Sequence, residues 1–391
     1  MPERDGRDLS LVFLIDALGK EIVGRDGFLD ALVPRNRPRV RSILGYSSAA
    51  IPTLFTGVPP AVHGHWAMYR RDRGDSVFRP YARRLRLASK LPAGKWRTRR
   101  WLTAQLRRDG LTGYFSLYEV PLGLLPFFDL SERRNIYRPG AFDGVRSLFD
   151  RLVEESVPYR VWDWSVPEER SFSEMEAAAR EGNERFLMLY SSGLDGVMHV
   201  HGPDSPAARA WLKQAEGRIG AVVDAARRAG RRPRLRVFGD HGMAPVRRAI
   251  DLSAHLAHLP VRIPRDALLF LDSTMARFWF SSEQARRTVV DSLSSLAGGR
   301  FVSHEELASL GAGFPDREYG EEIFLADPGV LFAPSFMGLG RVAGMHGYHP
   351  DDPDSDSTLL ADPMPEEPPE TILEIAPLLL RDLGLPFEAP R

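Results

Sequence analysis

Leu9-Ser-Leu-Val-Phe-Leu-Ile-Asp16 and Leu235-Arg-Val-Phe-Gly-Asp240-His241-Gly242 are the two stretches on which the reading of this chain turns. Each is a short apolar run that stops at an acid, the pattern of a buried strand whose carboxyl end opens onto a ligand site. Three more groups of metal-ligating type stand apart from them. Asp195 and His199 are four apart in Asp195-Gly-Val-Met-His199, and His346 lies in Gly344-Met-His-Gly347. Carboxylates and imidazoles gathered from strand ends are what a site for two divalent cations requires. A single aspartate at a strand end is ordinarily a turn or cap residue, and a lone histidine is ordinarily solvated. Six such positions in one order are a different matter, and a serine, Ser47 or Ser48, lies among them.

Working outward, strand-like runs alternate with helical ones. Strands are expected at 9–15, 40–44, 159–162, 186–190 and 235–238. The clearest helix covers about 205–229, with Asp204 or Ser205 as cap, Pro206 in the first turn and Gly230 at the end. Its apolar residues Trp211, Ala215, Ile219, Val222 and Ala226 keep a spacing of three to four. A last helix is expected over about 370–383. This alternation predicts an α/β fold, a mostly parallel central sheet with helices on both faces, in which ligands collect at the carboxyl ends of strands. Two segments interrupt it. Residues 68–142 form a basic, aromatic inserted cap, and 252–327 a smaller inserted lobe with strands near 267–271 and 276–280 and a helix near 282–297. The core is thereby divided into 1–67, 143–251 and 328–391. The acidic run Asp351, Asp352, Asp354 and Asp356 is expected to be a solvated loop.

Composition sets limits. The chain has 391 residues, enough for a large α/β domain plus an inserted lobe. Its formal net charge is zero, so no whole-molecule field selects a nucleic acid or a membrane. Without cysteine there is no disulfide, thiolate ligand or cysteine nucleophile. The charged start runs into a short strand carrying an acid, unlike a secretory signal, and no run approaches the ~20 apolar residues of a membrane span. A cytoplasmic protein is the expectation.

The residues also resemble a family. Asp195-Gly-Val-Met-His199-Val-His-Gly202-Pro203, Phe238-Gly-Asp240-His241-Gly242-Met243, and Ser47 through Thr56-Gly57 followed by Pro60 and His63-Gly64 are similar to motifs of the alkaline phosphatase superfamily. Within it they are closest to the type I phosphodiesterase/nucleotide pyrophosphatase group. The resemblance spans the core, about two-thirds of the chain. It implies one metal held by Asp195, His199 and His346, and another by Asp16, Asp240 and His241 with the nucleophile oxygen. The donor set suits two Zn²⁺, with Mn²⁺ also compatible by ligand type. The family's nucleophile stands ten residues before the glycine of its Thr-Gly pair, which gives Ser47, with Ser48 as the alternative. The implied reaction is cleavage of a phosphodiester or pyrophosphate bond through a phospho-serine. Two positions depart from the pattern: Ala50 stands where the phosphodiesterases usually carry an asparagine, and His201 where tyrosine is common. His63, His65 and His349 are read as structural or loop residues.

Between Arg70 and Arg108 lie Arg71, Arg73, Arg79, Arg83, Arg84, Arg86, Lys90, Lys95, Arg97, Arg99, Arg100 and Arg107, opposed only by Asp72 and Asp75 and interleaved with Leu85, Leu87, Leu91, Trp96 and Trp101. The apolar stretch 122–128 follows. Such a composition suits an anionic membrane surface, a lipid-linked phosphate or, less well, nucleic acid. The plain alternative is a solvated cap whose arginines pair with acids elsewhere. Competing readings of the whole are a phosphomonoesterase or phosphonate hydrolase on the same core, and a non-catalytic protein that binds anions or membranes. A sulfatase and a cofactor-independent phosphoglycerate mutase fit less well, for want of the formylglycine element and of a long second domain.

Overall fold

The computed structural model describes residues 7–34, 37–91 and 94–387, together with the backbone but not the side chains of 25 and 26. Residues 1–6, read above as the charged start, lie outside the described part. The central sheet is built from β1 (Asp8–Ile15), β2 (Arg39–Val40), β3 (Tyr159–Trp162), β4 (Phe186–Ser191), β5 (Arg232–Phe238) and β6 (Ser357–Asp362), in the order β2-β6-β5-β1-β4-β3. β1 runs parallel to both β4 and β5, and β3 parallel to β4, while β6 is antiparallel to β5 and to β2. The sheet is mostly parallel and covered on both faces.

The alternation of side chains along β1 explains the cover. Leu9, Leu11, Phe13 and Ile15 point into a cluster with Phe172, Met175 and Ala179 of α2 (Glu168–Glu181), with Leu194 and Met198 of α3 (Gly193–His201), and with Leu212, Ile219 and Val223 of α4 (Pro206–Arg228). Val12 and Leu14 point the other way, against Ala50, Leu54 and Phe55 of α1 (Ser47–Thr56) and Leu378 and Leu379 of α5 (Ile375–Leu383). α4 begins as its sequence suggests, with the Ser205 hydroxyl accepting a hydrogen bond from the Ala208 N–H and Pro206 in the first turn.

Two expectations need correction. The strand expected over 40–44 is only Arg39–Val40. Beyond it the chain turns, with Ser42 Oγ donating to the Asp240 carbonyl at 2.6 Å, so that α1 can start at Ser47. Ile43 and Leu44 are apolar because they pack, not because they pair. The acidic run is not simply solvated either: Asp356 is buried against Arg39, and its carbonyl receives the Lys20 N–H.

Residues 68–142 and the 252–327 segment are packed on one another. Tyr69, Phe78, Leu85, Leu102, Leu106, Leu122, Leu125 and Phe128 form one cluster with Leu268, Phe270 and Trp279. The second segment carries an antiparallel sheet of four strands, Ala267–Leu271, Met275–Phe280, Glu322–Ala326 and Gly299–Phe301 in that order. Among the described residues no helix is long and apolar enough to cross a membrane.

Candidate metal centre

Sheet register delivers the first ligands. Leu14 of β1 pairs with Phe238 of β5 and with Tyr190 of β4, so Asp16 leaves the sheet level with Asp240 and just before α3 begins. Asp195 and His199 sit one turn apart on α3, which places both on one face. His346 comes from farther along the chain. Gly344 and Met345 pair antiparallel with Pro245 and Ala244, and this short ladder sets His346 against His241, their rings stacked at 3.8 Å and 14°.

All seven residues singled out in the sequence meet here. Ser47 Oγ lies 3.0 Å from His241 Nε2 and 3.4 Å from Asp16 Oδ1, at the first turn of α1. His241 Nε2 is 3.4 Å from Asp16 Oδ1 and 3.3 Å from Asp240 Oδ2. Asp195 Oδ1 is 3.2 Å from His199 Nε2 and 3.5 Å from His346 Nε2. Ligand atoms of Asp16, Asp240 and His241 fall within 4.8 Å of one another, and so do those of Asp195, His241 and His346. His241 thus stands between the two groups, because its ring is stacked on that of His346. Ser48 has no comparable contact among the described residues. His63 is buried and bonded to Thr53 Oγ1, and His349 faces Glu306. His201 is exposed at the end of α3, and Ala50 packs into the core.

The histidines are oriented by their other nitrogens. His199 Nδ1 lies 2.8 Å from the Gly344 carbonyl and His241 Nδ1 2.9 Å from the Gly242 carbonyl, so each Nδ1 donates and each Nε2 faces the carboxylates. The glycines beside them are sterically required. A Cβ on Gly347, at φ +85°, would meet the Tyr46 ring at 2.5 Å, and one on Gly242 would meet the Asp354 carbonyl oxygen at 2.2 Å.

The electrostatics are those of a cluster short of positive charge. Burial, with the charges of Asp240 and Asp195, pushes the Asp16 carboxyl well above the usual range, against bonds from Tyr190 and Ser47. Burial, with His241 and His199 nearby, pushes His346 well below the usual imidazole range. Burial opposes protonation of His199, but the bond and charge of Asp195 and the Gly344 carbonyl outweigh it, and its net shift is upward. Asp240 Oδ2 is buried without a hydrogen-bond partner, and the buried Asp195 Oδ1 meets the imidazole nitrogens of His199 and His346. Buried carboxylate oxygens left unpaired are costly unless a cation takes them, so the donor set fits divalent metal ions.

Three tyrosines escaped the sequence reading. Tyr190 donates to Asp16 Oδ2 at 2.5 Å, and nothing but its place at the end of β4 could have flagged it. Tyr46 donates to Thr274 Oγ1 at 2.7 Å and accepts from the Thr274 N–H at 3.0 Å, while Thr274 Oγ1 donates to the Gly347 carbonyl at 3.0 Å. It thereby braces the His346 loop from the lobe, next in sequence to Ser47. Tyr118 comes from the 68–142 segment at φ +40°. Burial, Tyr114, Tyr69 and the charge of Asp195 raise its phenol.

A family model, type I phosphodiesterase / nucleotide pyrophosphatase, matches residues 38–349. The chain belongs to that family. It is accordingly a phosphodiester hydrolase, of a metal-dependent kind. Solved structures agree on the fold. Human ectonucleotide pyrophosphatase/phosphodiesterase 5 superposes with a TM-score of 0.70 at 14% identity, covering 97% of this chain and 96% of that one. An inactive variant of the murine counterpart, in complex with AMP, gives 0.69 at 16% identity and the same coverage. No curated protein matches the sequence.

Proposed function

We propose that Ser47 is the nucleophile of this hydrolase and is transiently phosphorylated. Asp16, Asp240 and His241 would hold one divalent cation and Asp195, His199 and His346 a second, Zn²⁺ by donor type with Mn²⁺ also compatible. Bound cations supply positive charge that lowers the serine's pKa and offsets charge on the phosphoryl oxygens. The remaining work falls to the chain itself. The first turn of α1 holds Ser47 Oγ 3.0 Å from His241 Nε2, beside the proposed ligands and where the helix dipole favours an anion. Ser47 Oγ gives its proton to solvent and forms a bond to phosphorus as the bond to the ester oxygen breaks, and the leaving group departs with a proton from solvent. Water then attacks the phosphorus and the Ser47 oxygen leaves, which restores the hydroxyl. Tyr190 holds Asp16 in place throughout.

The observation that carries this reading is the convergence of Ser47 Oγ, Asp16 Oδ1 and His241 Nε2 within 3.4 Å. The substrate would be a small phosphate diester or pyrophosphate, or a lipid-linked phosphate; the murine relative's complex with AMP supports a phosphate ester as ligand. The test is paired hydrolysis of a nitrophenyl phosphate diester and monoester by Zn²⁺-loaded protein, with Ser47→Ala and Ser48→Ala as controls. Diester preference, lost in Ser47→Ala and kept in Ser48→Ala, is the expected result. Monoester preference would move the activity to a phosphatase, and full activity in Ser47→Ala would overturn the assignment of the nucleophile.

A further inference from the structure

The arginine-rich segment is not one surface. Arg70 pairs with Asp129 and Glu318, Arg71 with Glu321, Arg73 with Asp316 and Glu318, Arg79 with Asp72, and Arg99 with Glu119. Those cations hold the cap to the lobe and to itself. The apolar stretch 122–128 is also spent internally, with Leu122, Leu125 and Phe128 buried. What remains outward lies on two helices, Ala82–Ser89 and Lys95–Arg108. Leu85, Leu102 and Leu106 anchor them inward, and Arg84 lies 3.5 Å over the Trp101 ring, which joins the two. On the solvent side Leu87, Leu91 and Trp96 are 61%, 59% and 60% exposed. Around them stand Arg83, Arg86, Lys90, Lys95, Arg97 and Arg100, all exposed and none in an ion pair among the described residues.

We propose that this face, the outward side of the Ala82–Ser89 and Lys95–Arg108 helices, docks on an anionic lipid bilayer. The charges match a membrane carrying acidic headgroups, and two exposed leucines and an exposed tryptophan match its interfacial zone. Leucine side chains held out in water gain nothing from a nucleic-acid backbone, whereas they gain from acyl chains. A second copy of the chain is a poor occupant, because a symmetric contact would set this basic patch against itself. The proposal is independent of the catalytic reading, since none of these residues touches the metal-ligand cluster.

The experiment is co-sedimentation of the full-length, metal-loaded protein with vesicles of phosphatidylcholine, with and without about a third phosphatidylserine, at low and high salt. Binding is expected only with phosphatidylserine, weakened by salt. Each cation reversed or removed lowers partitioning roughly fivefold. The triple variant Leu87→Ser, Leu91→Ser, Trp96→Ser lowers it about tenfold or more while diester hydrolysis and melting temperature stay put. Brominated acyl chains quench wild-type tryptophan fluorescence, and quenching is lost in Trp96→Phe. Ser47→Ala binds vesicles like wild type, which separates this test from that of the active site. No binding at low salt sinks the proposal. So does binding indifferent to the triple variant, a tighter affinity for a single-stranded oligonucleotide than for vesicles, or a dimer that the triple variant dissolves.

Discussion

Asp16→Asn is expected to change the protein's stability in opposite directions according to whether metal is bound. The reason is geometric. Ligand atoms of Asp16, Asp240 and His241 lie within 4.8 Å of one another. At that outer limit two carboxylate charges repel by about 3.5 kcal/mol at an effective dielectric of about 20. The asparagine removes one of those charges and keeps an oxygen to accept the Tyr190 hydroxyl. Taking about 2.1 cal/mol/K of unfolding entropy per residue over 391 residues, the full relief corresponds to about 4 °C in melting temperature. The chelator-treated variant should therefore melt above chelator-treated wild type at neutral pH, by up to that amount. With metal the order reverses. A cation at a thousand times its Kd stabilises by about 4.1 kcal/mol, about 5 °C here, which exceeds the relieved repulsion, and the variant forfeits the one Asp16 would help to hold.

The pH dependence follows the same sign. The Asp16 carboxyl is raised in the folded state, so its contribution to stability is present at low pH and is lost as pH rises through its folded value. Metal-free wild type should lose that contribution above the ordinary aspartate range, and metal-free Asp16→Asn should not. Calorimetric scans of both proteins, stripped and loaded, at mildly acidic and neutral pH give the four numbers needed. If stripped Asp16→Asn melts below stripped wild type at neutral pH, Asp16 is a satisfied structural carboxylate and the account of the cluster as a repelled ligand set is wrong.

Three further outcomes are expected. Tyr190→Phe removes a 2.5 Å bond to Asp16 Oδ2 without changing the fold, and metal affinity by competitive chelation should fall about 10- to 100-fold. Gly347→Ala forces a side chain into a left-handed backbone and into the Tyr46 ring; stability should drop by about 1–3 kcal/mol, and diester turnover should fall further than stability explains because His346 moves. Asp382→Ala strands the buried Arg236 guanidinium, which Asp382 now holds through bonds of 2.7 and 3.0 Å; about 3–5 kcal/mol of stability should be lost while turnover per folded molecule at room temperature is kept.

The proposed metal ligands were legible because each sits in a local pattern that sequence can carry: an acid after a strand, a pair four apart on a helix, a histidine before a glycine. What held those patterns in place was less visible. Tyr190 reads as one more aromatic in a buried strand, and only the register that puts it beside Asp16 gives it another role. Tyr118 stands out by a backbone angle that nothing in its sequence announces. Apolar residues at 43 and 44 suggest strand, since periodicity cannot tell a side chain that packs from a backbone that pairs. The arginines of the cap allowed two readings, and the sequence could not assign each residue to one. Arg70, Arg71 and Arg73 find Glu318, Glu321 and Asp316 about 250 residues onward, and pairing at that range leaves no trace in a charge count.

The same distinction explains why one half of the centre is more firmly founded than the other. Asp16 and Asp240 emerge from neighbouring parallel strands whose register is fixed by Leu14 and Phe238, deep in the core, and the Asp240 Oδ1 atom takes the N–H groups of Ala17 and His241 at 3.1 Å. Asp195, His199 and His346 have no such common frame. α3 and the 344–347 loop are joined by the His199 ring at the Gly344 carbonyl and by the Ala343 N–H at the His199 carbonyl, 2.8 Å each, and the loop is braced from the lobe through Thr274 and Tyr46. Three separate segments must agree before those ligands converge. Tyr46 is next to Ser47, so the bond that braces the second half also fixes the residue that starts α1. The serine and the distant histidine thus both lean on the contact of Tyr46 with Thr274, and the 252–327 segment supports the candidate centre without supplying one of its proposed ligands.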